Sequence, residues 1–212
     1  MSIGLSCVVA ALVLVGVAAL SLRVMFSPVR AVLQPCSLSE VPGMSSSPTQ
    51  AAVQNLGFDA FELFGVRAQL RSFEALGFQP SGAVVIQNPP IPNMYVALLT
   101  RPDADARLWV QPDGTPGTAT VCSATDGVRV VTSGTAEAVS QHDKEEVEAF
   151  PDASPLALVQ RHEQRMAGRA AREHAPDGAV QRYIDEWRDD LAALKERSFL
   201  ARAIGWLGAP SS

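Results

Sequence analysis

Between residues 82 and 133 the apolar positions fall into short runs rich in Val, Leu, Tyr, Trp and Thr, over 83–87, 94–100, 108–111, 118–124 and 128–133. Each run has the length and composition of a strand. Turn residues divide them: Asn88 to Asn93 with three prolines, Pro102-Asp103, Pro112-Asp113-Gly114 and Asp126-Gly127. Consecutive strands with short links predict an antiparallel meander of four to five strands. The most specific signal is Asp126-Gly127, which fits a two-residue hairpin turn with both central residues at positive φ. That turn sets Val121 opposite Thr132 and Ser123 opposite Val130, with Cys122 opposite Val131 on the other face.

On either side of these runs the period changes. Phe58, Phe61, Leu70, Phe73 and Leu76 predict a helix over about 59–76, stopped by Gly77. After residue 142 the chain becomes charged and helical in pattern. Ser154-Pro155 supplies a capping serine and a first-turn proline, and this helix is expected to reach about Glu173. A second helix begins near Asp177, with Val180, Ile184, Trp187, Leu191 and Leu194 along one face. The expected fold class is α+β: an antiparallel sheet covered by the 59–76 region and the two C-terminal helices.

Ahead of this lies Ile3 to Leu22, without a single charge. About 20 apolar residues match the thickness of a bilayer. A cleavable signal would have a basic start and a shorter apolar core. No Lys or Arg precedes this run, and the small-residue site Val17-Ala18-Ala19 falls inside it. The segment therefore reads as a retained single-pass anchor. Arg23 and Arg30 follow it, so the excess of positive charge places the domain on the cytoplasmic side. Four prolines and the run Ser45-Ser46-Ser47 give residues 25–50 the composition of a linker. The expected division is an anchor at 1–24, a linker at 25–50, one domain at 51–208 and a tail at 209–212.

Composition narrows the function. A net charge of −5 and a pI near 5.2 do not suit a general nucleic-acid binder, so no nucleic-acid partner is expected. Cys7, Cys36 and Cys122 are scattered and lack CxxC spacing, which excludes a disulfide framework and a zinc site. Pairing of Cys36 with Cys122 stays open. His162-Glu163 opens like a zinc-protease helix, but Met166 stands where the second histidine belongs. His162, beside Val159 and Met166, reads instead as a packed or boundary histidine, and His142 and His174 as helix-end residues. Cys122 lacks a base placed by its spacing and reads as a core cysteine. GxSxG, GxxxxGK[ST] and GxGxxG are missing. No catalytic, cofactor-binding or metal residue is assigned, and no cofactor is expected.

Three surfaces carry other readings. Arg161, Arg165, Arg169 and Arg172 form a basic ridge on a helix. It faces anionic lipid, or it is a solvated face paired with nearby acids. Pro89-Pro90-Ile91-Pro92 satisfies PxxP but also suits a stiff loop, and Ile91 with Met94 is the candidate contact surface. The terminal run with Phe199, Leu200, Ile204, Trp206 and Leu207 is too short to span. It is an interfacial helix with Trp206 at the bilayer, or the end of the core helix.

The pieces Glu74 to Phe78, the strands around Tyr95 and Val121, the Asp126-Gly127 turn and Pro155 to His162 resemble a group of uncharacterised bacterial single-pass membrane-anchored proteins. The resemblance implies an α+β domain and no catalytic residues. The resulting expectation is a membrane-tethered binding or scaffold module, holding a protein partner or a second copy of itself. The rivals are a membrane-associated enzyme with an unmarked carboxylate or thiol site, and a domain that binds anionic lipid. A concave pocket converging on Cys122, on a histidine or on paired acids would favour the enzyme. An exposed apolar patch around Ile91 and Met94 would favour the binding module.

Overall fold

The computed structural model describes residues 31–44, 49–57, 63–135 and 144–196. Residues 3–22, where an anchor is expected, together with Arg23, Arg30, the serine run, His142 and the stretch containing Trp206, lie outside the described residues. Among the described residues no helix is long and apolar enough to cross a membrane.

The chain is α+β. Seven strands form one sheet in sequence order: β1 (Val32–Cys36), β2 (Gln79–Asn88), β3 (Ile91–Arg101), β4 (Ala104–Val110), β5 (Pro116–Ala124), β6 (Arg129–Ser133) and β7 (Glu145–Ala149). The first five pairings, the last of them the β5·β6 hairpin, are antiparallel, whereas β7 joins β6 in parallel. The expected meander is therefore present as β2 to β6; β1 lengthens it by one antiparallel strand, and β7 extends the sheet in parallel. β1 lies within the stretch whose prolines read as linker. Among the described residues only one of its edges is paired, so Pro35, which lacks an N–H, is tolerated there opposite Val84. β7 reads EEVEA, a charged run that suggests helix in isolation.

Among the described residues four α-helices accompany the sheet: α1 (Gln50–Leu56), α2 (Val66–Ala75), α3 (Pro155–Met166) and α4 (Ala179–Glu196). The strand residues alternate between two cores because helices lie on both faces of the sheet. Ala97, Leu99, Ala106, Leu108 and Val121 pack with Leu70 and Phe73 of α2 and Leu158 of α3. Val84, Ile86, Val96 and Leu98 pack with Tyr183 and Ile184 of α4. The two C-terminal helices thus cover opposite faces.

Local signals explain the helix ends. Ser154 accepts a hydrogen bond from the Ala157 N–H, with Pro155 at the first turn. The expected stop at Gly77 is a left-handed cap: φ is +87°, Gly77 N–H bonds Glu74 O, and Phe78 N–H bonds Phe73 O. The Phe73 and Phe78 rings meet edge to face at 5.7 Å across that cap. The helix expected over 59–76 is interrupted at Gly65: Leu63 and Phe64 are helical before it and α2 follows it, while residues 58–62 lie outside the described residues. The helix expected to reach Glu173 is shorter: α3 ends at Met166 because Gly168 at φ +78° turns the chain out.

Gly82 fixes how closely α4 approaches the sheet. It sits at a β2 bulge with φ +132°, and a Cβ there would lie 2.6 Å from Val180 Cγ2. Gly82→Ala should therefore cost about 2 kcal/mol in urea unfolding, through a strained backbone and an overpacked contact. An unchanged midpoint would mean that α4 does not sit this close.

Candidate functional site

The face of the sheet under α4 changes character across its width. Over β2 and β3 it is apolar. Over β4 to β7 the same face presents Arg107, Cys122, Arg129 and Glu145, and α4 answers with Tyr183, Glu186, Trp187 and Asp190. The period of α4 places Tyr183, Glu186, Trp187 and Asp190 on one side of the helix, at offsets of three, four and seven from the tyrosine. Arg129 binds Glu145 at 2.6 Å, Glu186 at 2.9 Å and Asp190 at 3.2 Å. Arg107 also bonds Glu186, and its guanidinium lies 5.0 Å over the Tyr183 ring. These charges sit on partly buried strand and helix positions because each guanidinium meets a carboxylate there.

Between these side chains is a cleft of about 230 Å³, floored by β4 to β7 and walled by α4. A wider recess of about 680 Å³ continues from it toward the β5–β6 hairpin, sharing Arg129, Glu145, Glu186 and Asp190. Trp109 and Trp187 stand at the apolar end with ring centroids 6.5 Å apart and planes tilted by 49°. Tyr183 Oη, Trp187 Nε1 and Arg107 Nε are buried and have no hydrogen-bond partner in the protein. Asn88 Oδ1 and Arg182 Nε are buried without a partner elsewhere among the described residues, so such atoms do not single out the cleft.

Cys122 lies next to this network, with its thiol bonded to Asp105 O at 3.5 Å. Burial pushes the thiol up to about 12; Arg107 opposes the rise and Glu186 and Asp105 add to it. It sits in the core, where burial favours the protonated thiol. Cys36 packs against the other face of the sheet, on β1, and both cysteines are free. Three strands separate β1 from β5, roughly 19 Å at ~4.8 Å per strand, so the two cannot form a disulfide.

His162 is buried on the opposite face, in a closed chain of hydrogen bonds. Ser123 Oγ donates to Asp103 O at 2.5 Å and lies 2.9 Å from His162 Nε2. Thr132 Oγ1 lies 3.1 Å from His162 Nδ1 and accepts from Arg165 at 3.0 Å. These roles assign a neutral ring: Nε2–H donates to Ser123, and Nδ1 accepts from Thr132. Burial, helped by Arg165 and Arg101, lowers its pKa to about 4. Ser123 and His162 make a nucleophile–base pair in distance only, since both are sealed from solvent and no carboxylate orients the ring.

The other positions of interest are spread out. Ile91 and Met94 are half-buried, and Met94 packs into the core under α4, so no open apolar patch forms there. The arginine ridge meets β7: Arg161 and Arg165 bind Glu148, and Arg169 binds Glu146. The ridge is helical only as far as Arg165; Arg169 and Arg172 lie beyond α3. His174 Nδ1 lies 3.0 Å from Asp105, which Arg182 also contacts at 3.3 Å. Burial raises the pKa of Asp105, but His174, Thr100 and Arg182 outweigh it and hold the carboxyl below its usual range. Among the described residues no three His, Cys, Asp or Glu side chains are grouped to hold a metal.

None of the cleft residues except Trp187 stood out in the sequence. Trp187 marked a helix face, and the signal beside it was polar, in Tyr183, Glu186 and Asp190 at helical spacing. Compared with protein families, with curated proteins and with solved structures, the chain matches none.

Proposed function

We propose that the chain is a membrane-tethered binding module, held at the bilayer by residues 3–22, whose ligand site is the cleft under α4. The observation that carries the binding site is the recess itself, where α4 stands off β4 to β7 and paired charges lie beside Trp109 and Trp187. The tether rests on the length of the uncharged N-terminal run and its missing basic start. A cytoplasmic domain follows from Arg23 and Arg30.

A catalytic reading has one observation in its favour, the three carboxylates of the cleft. Against it, Glu145, Glu186 and Asp190 all bond to Arg129, and the nearest thiol is held protonated. General acid–base work needs a group free to exchange its proton in the site. A lipid-surface reading finds Arg161, Arg165 and Arg169 already paired with β7 acids.

Native mass spectrometry of the full chain released from detergent tests the binding site. A bound species should accompany the parent chain and disappear from Thr120→Trp, which fills the cleft. Ligand-free spectra for both, or the same species on both, would overturn this reading. Carbonate washing of membranes tests the tether: the chain should stay in the pellet, and release into the supernatant would refute it.

A further inference from the structure

Among the described residues five large apolar side chains are open to solvent: Val32, Leu63, Phe64, Phe150 and Leu156, from 37% to 69% exposed. Such side chains are ordinary when scattered singly. Here the topology brings all five to one end of the sheet. Val32 opens β1 and pairs with Gln87, beside the β2–β3 turn. The β4–β5 turn lies at the same end, since Tyr95 near the start of β3 pairs with Val110 at the end of β4. A Cβ on Gly43 would lie 2.7 Å from Gly114 O in that turn and 3.3 Å from Val66 Cγ2. The start of α2, with Leu63 and Phe64 just before it, is therefore there too. β6 and β7 also end on this side, where Phe150 N–H bonds Ser133 O as the chain leaves the sheet. Leu156 follows in the first turn of α3, whose later residues His162 and Glu163 run back toward Ser123 and Arg101.

The turn nearest Val32 is uncharged. From Gly77 to Thr100 the chain has no Asp, Glu, Lys or Arg, and Pro89, Pro90 and Pro92 are exposed. The turns at the opposite end carry Asp103 and Asp126, with Arg101 and Lys144 beside them.

The position of Val32 selects what the apolar end meets. Leu22 closes the uncharged N-terminal run, and Val32 follows ten residues later. Ten residues reach at most ~36 Å when fully extended. Crossing the headgroup layer takes about 6 Å of that reach. β2 has ten residues, so it is ~33 Å long. A domain with its other end against the bilayer would hold Val32 a full strand length away, beyond what the link can span.

We propose that this end of the domain rests on the lipid bilayer, with Leu63, Phe64 and Leu156 entering the boundary between headgroups and acyl chains. Apolar side chains gain from burial in that layer without any need for anionic lipid. The contact leaves the arginines of α3 on their β7 partners. This inference rests on the reading of residues 3–22 as a tether.

The test is photocrosslinking of the full chain reconstituted in phosphatidylcholine vesicles. Phe64→p-benzoylphenylalanine and Leu156→p-benzoylphenylalanine each replace an exposed side chain, so both should keep the urea midpoint of the parent. On irradiation both should give adducts with the lipid, read by mass spectrometry. Asp126→p-benzoylphenylalanine, at the opposite end, should give none. A chain retained through carbonate washing that yields no lipid adduct at either position, or equal adducts at all three, would overturn the docking and leave the tether standing. Adducts between two copies of the chain in place of lipid would also overturn it and assign this end to self-association. Release of the chain on washing would remove the tether and the docking together.

Discussion

Arg129→Met should destabilise the protein by about 3 kcal/mol, because it withdraws the cation that three carboxylates share. Arg129 lies at the start of β6, and its side chain is only 19% exposed. Burial disfavours its charge, yet Asp190, Glu145 and Glu186 outweigh that and raise its pKa. Glu145 is the most buried of the three, at 6% exposed, and is the group most harmed by losing a guanidinium at 2.6 Å. Glu186 keeps its bond to Arg107 and is 31% exposed, so it contributes less. A hydrophobic replacement of similar length preserves packing and isolates the electrostatic loss. Coupling to Glu145→Gln is the sharper measure: in the double variant much of the cost should be recovered, since no carboxylate is left opposite the methionine at that position. Additive losses in urea unfolding would show that Arg129 and Glu145 do not act as a pair.

The buried histidine predicts a pH effect of similar size. His162 has a folded-state pKa of about 4 against 6.5 for an exposed histidine. Between these values the unfolded chain binds a proton that the folded chain refuses, so stability rises with pH across that window. Stability is complete above pH 6.5 and is lost as pH falls toward 4, by about 3 kcal/mol at ~1.36 kcal/mol per pH unit. The structural cause is that protonation turns Nδ1 from an acceptor into a donor facing Thr132, while Arg165 already points at the same oxygen. His162→Gln should unfold more easily at neutral pH, but its stability should vary far less between pH 4 and 6.5. Asp105, with its lowered pKa, contributes only at still lower pH. An equal slope in wild type and variant would exclude His162 as its source.

Local chemistry made much of this fold readable. The register at Asp126-Gly127 follows the sequence residue for residue, with Val121 opposite Thr132 and Cys122 opposite Val131. Only Gly127 takes a positive φ there, at +85°, so the turn differs in type from the one expected. Ser154-Pro155 and Gly77 act as the start and stop signals that their chemistry implies. The edges were not readable, for a physical reason. β1 carries a proline, and β7 carries three glutamates in five residues. Neither looks like a strand until its partners are known. Glu146 and Glu148 are matched by the arginines of α3 and the turn after it, and Glu145 by Arg129. That match is tertiary, and no local pattern carries it.

The cleft was hidden in the same way. It draws Arg107 from β4, Arg129 from β6, Glu145 from β7 and Glu186 from α4, separated by up to 79 residues between hydrogen-bonded partners. The apolar stripe of α4 predicts a packed helix, which it is over β2 and β3. The polar stripe next to it became informative only once the helix was seen to cross onto β4 to β7.

Native mass spectrometry of the full chain beside its Thr120→Trp variant is the most direct test of the cleft as a binding site, since Thr120 lines it. The account predicts a bound species on the parent chain that is absent from Thr120→Trp. A ligand-free parent chain, or the same species on both, would contradict it.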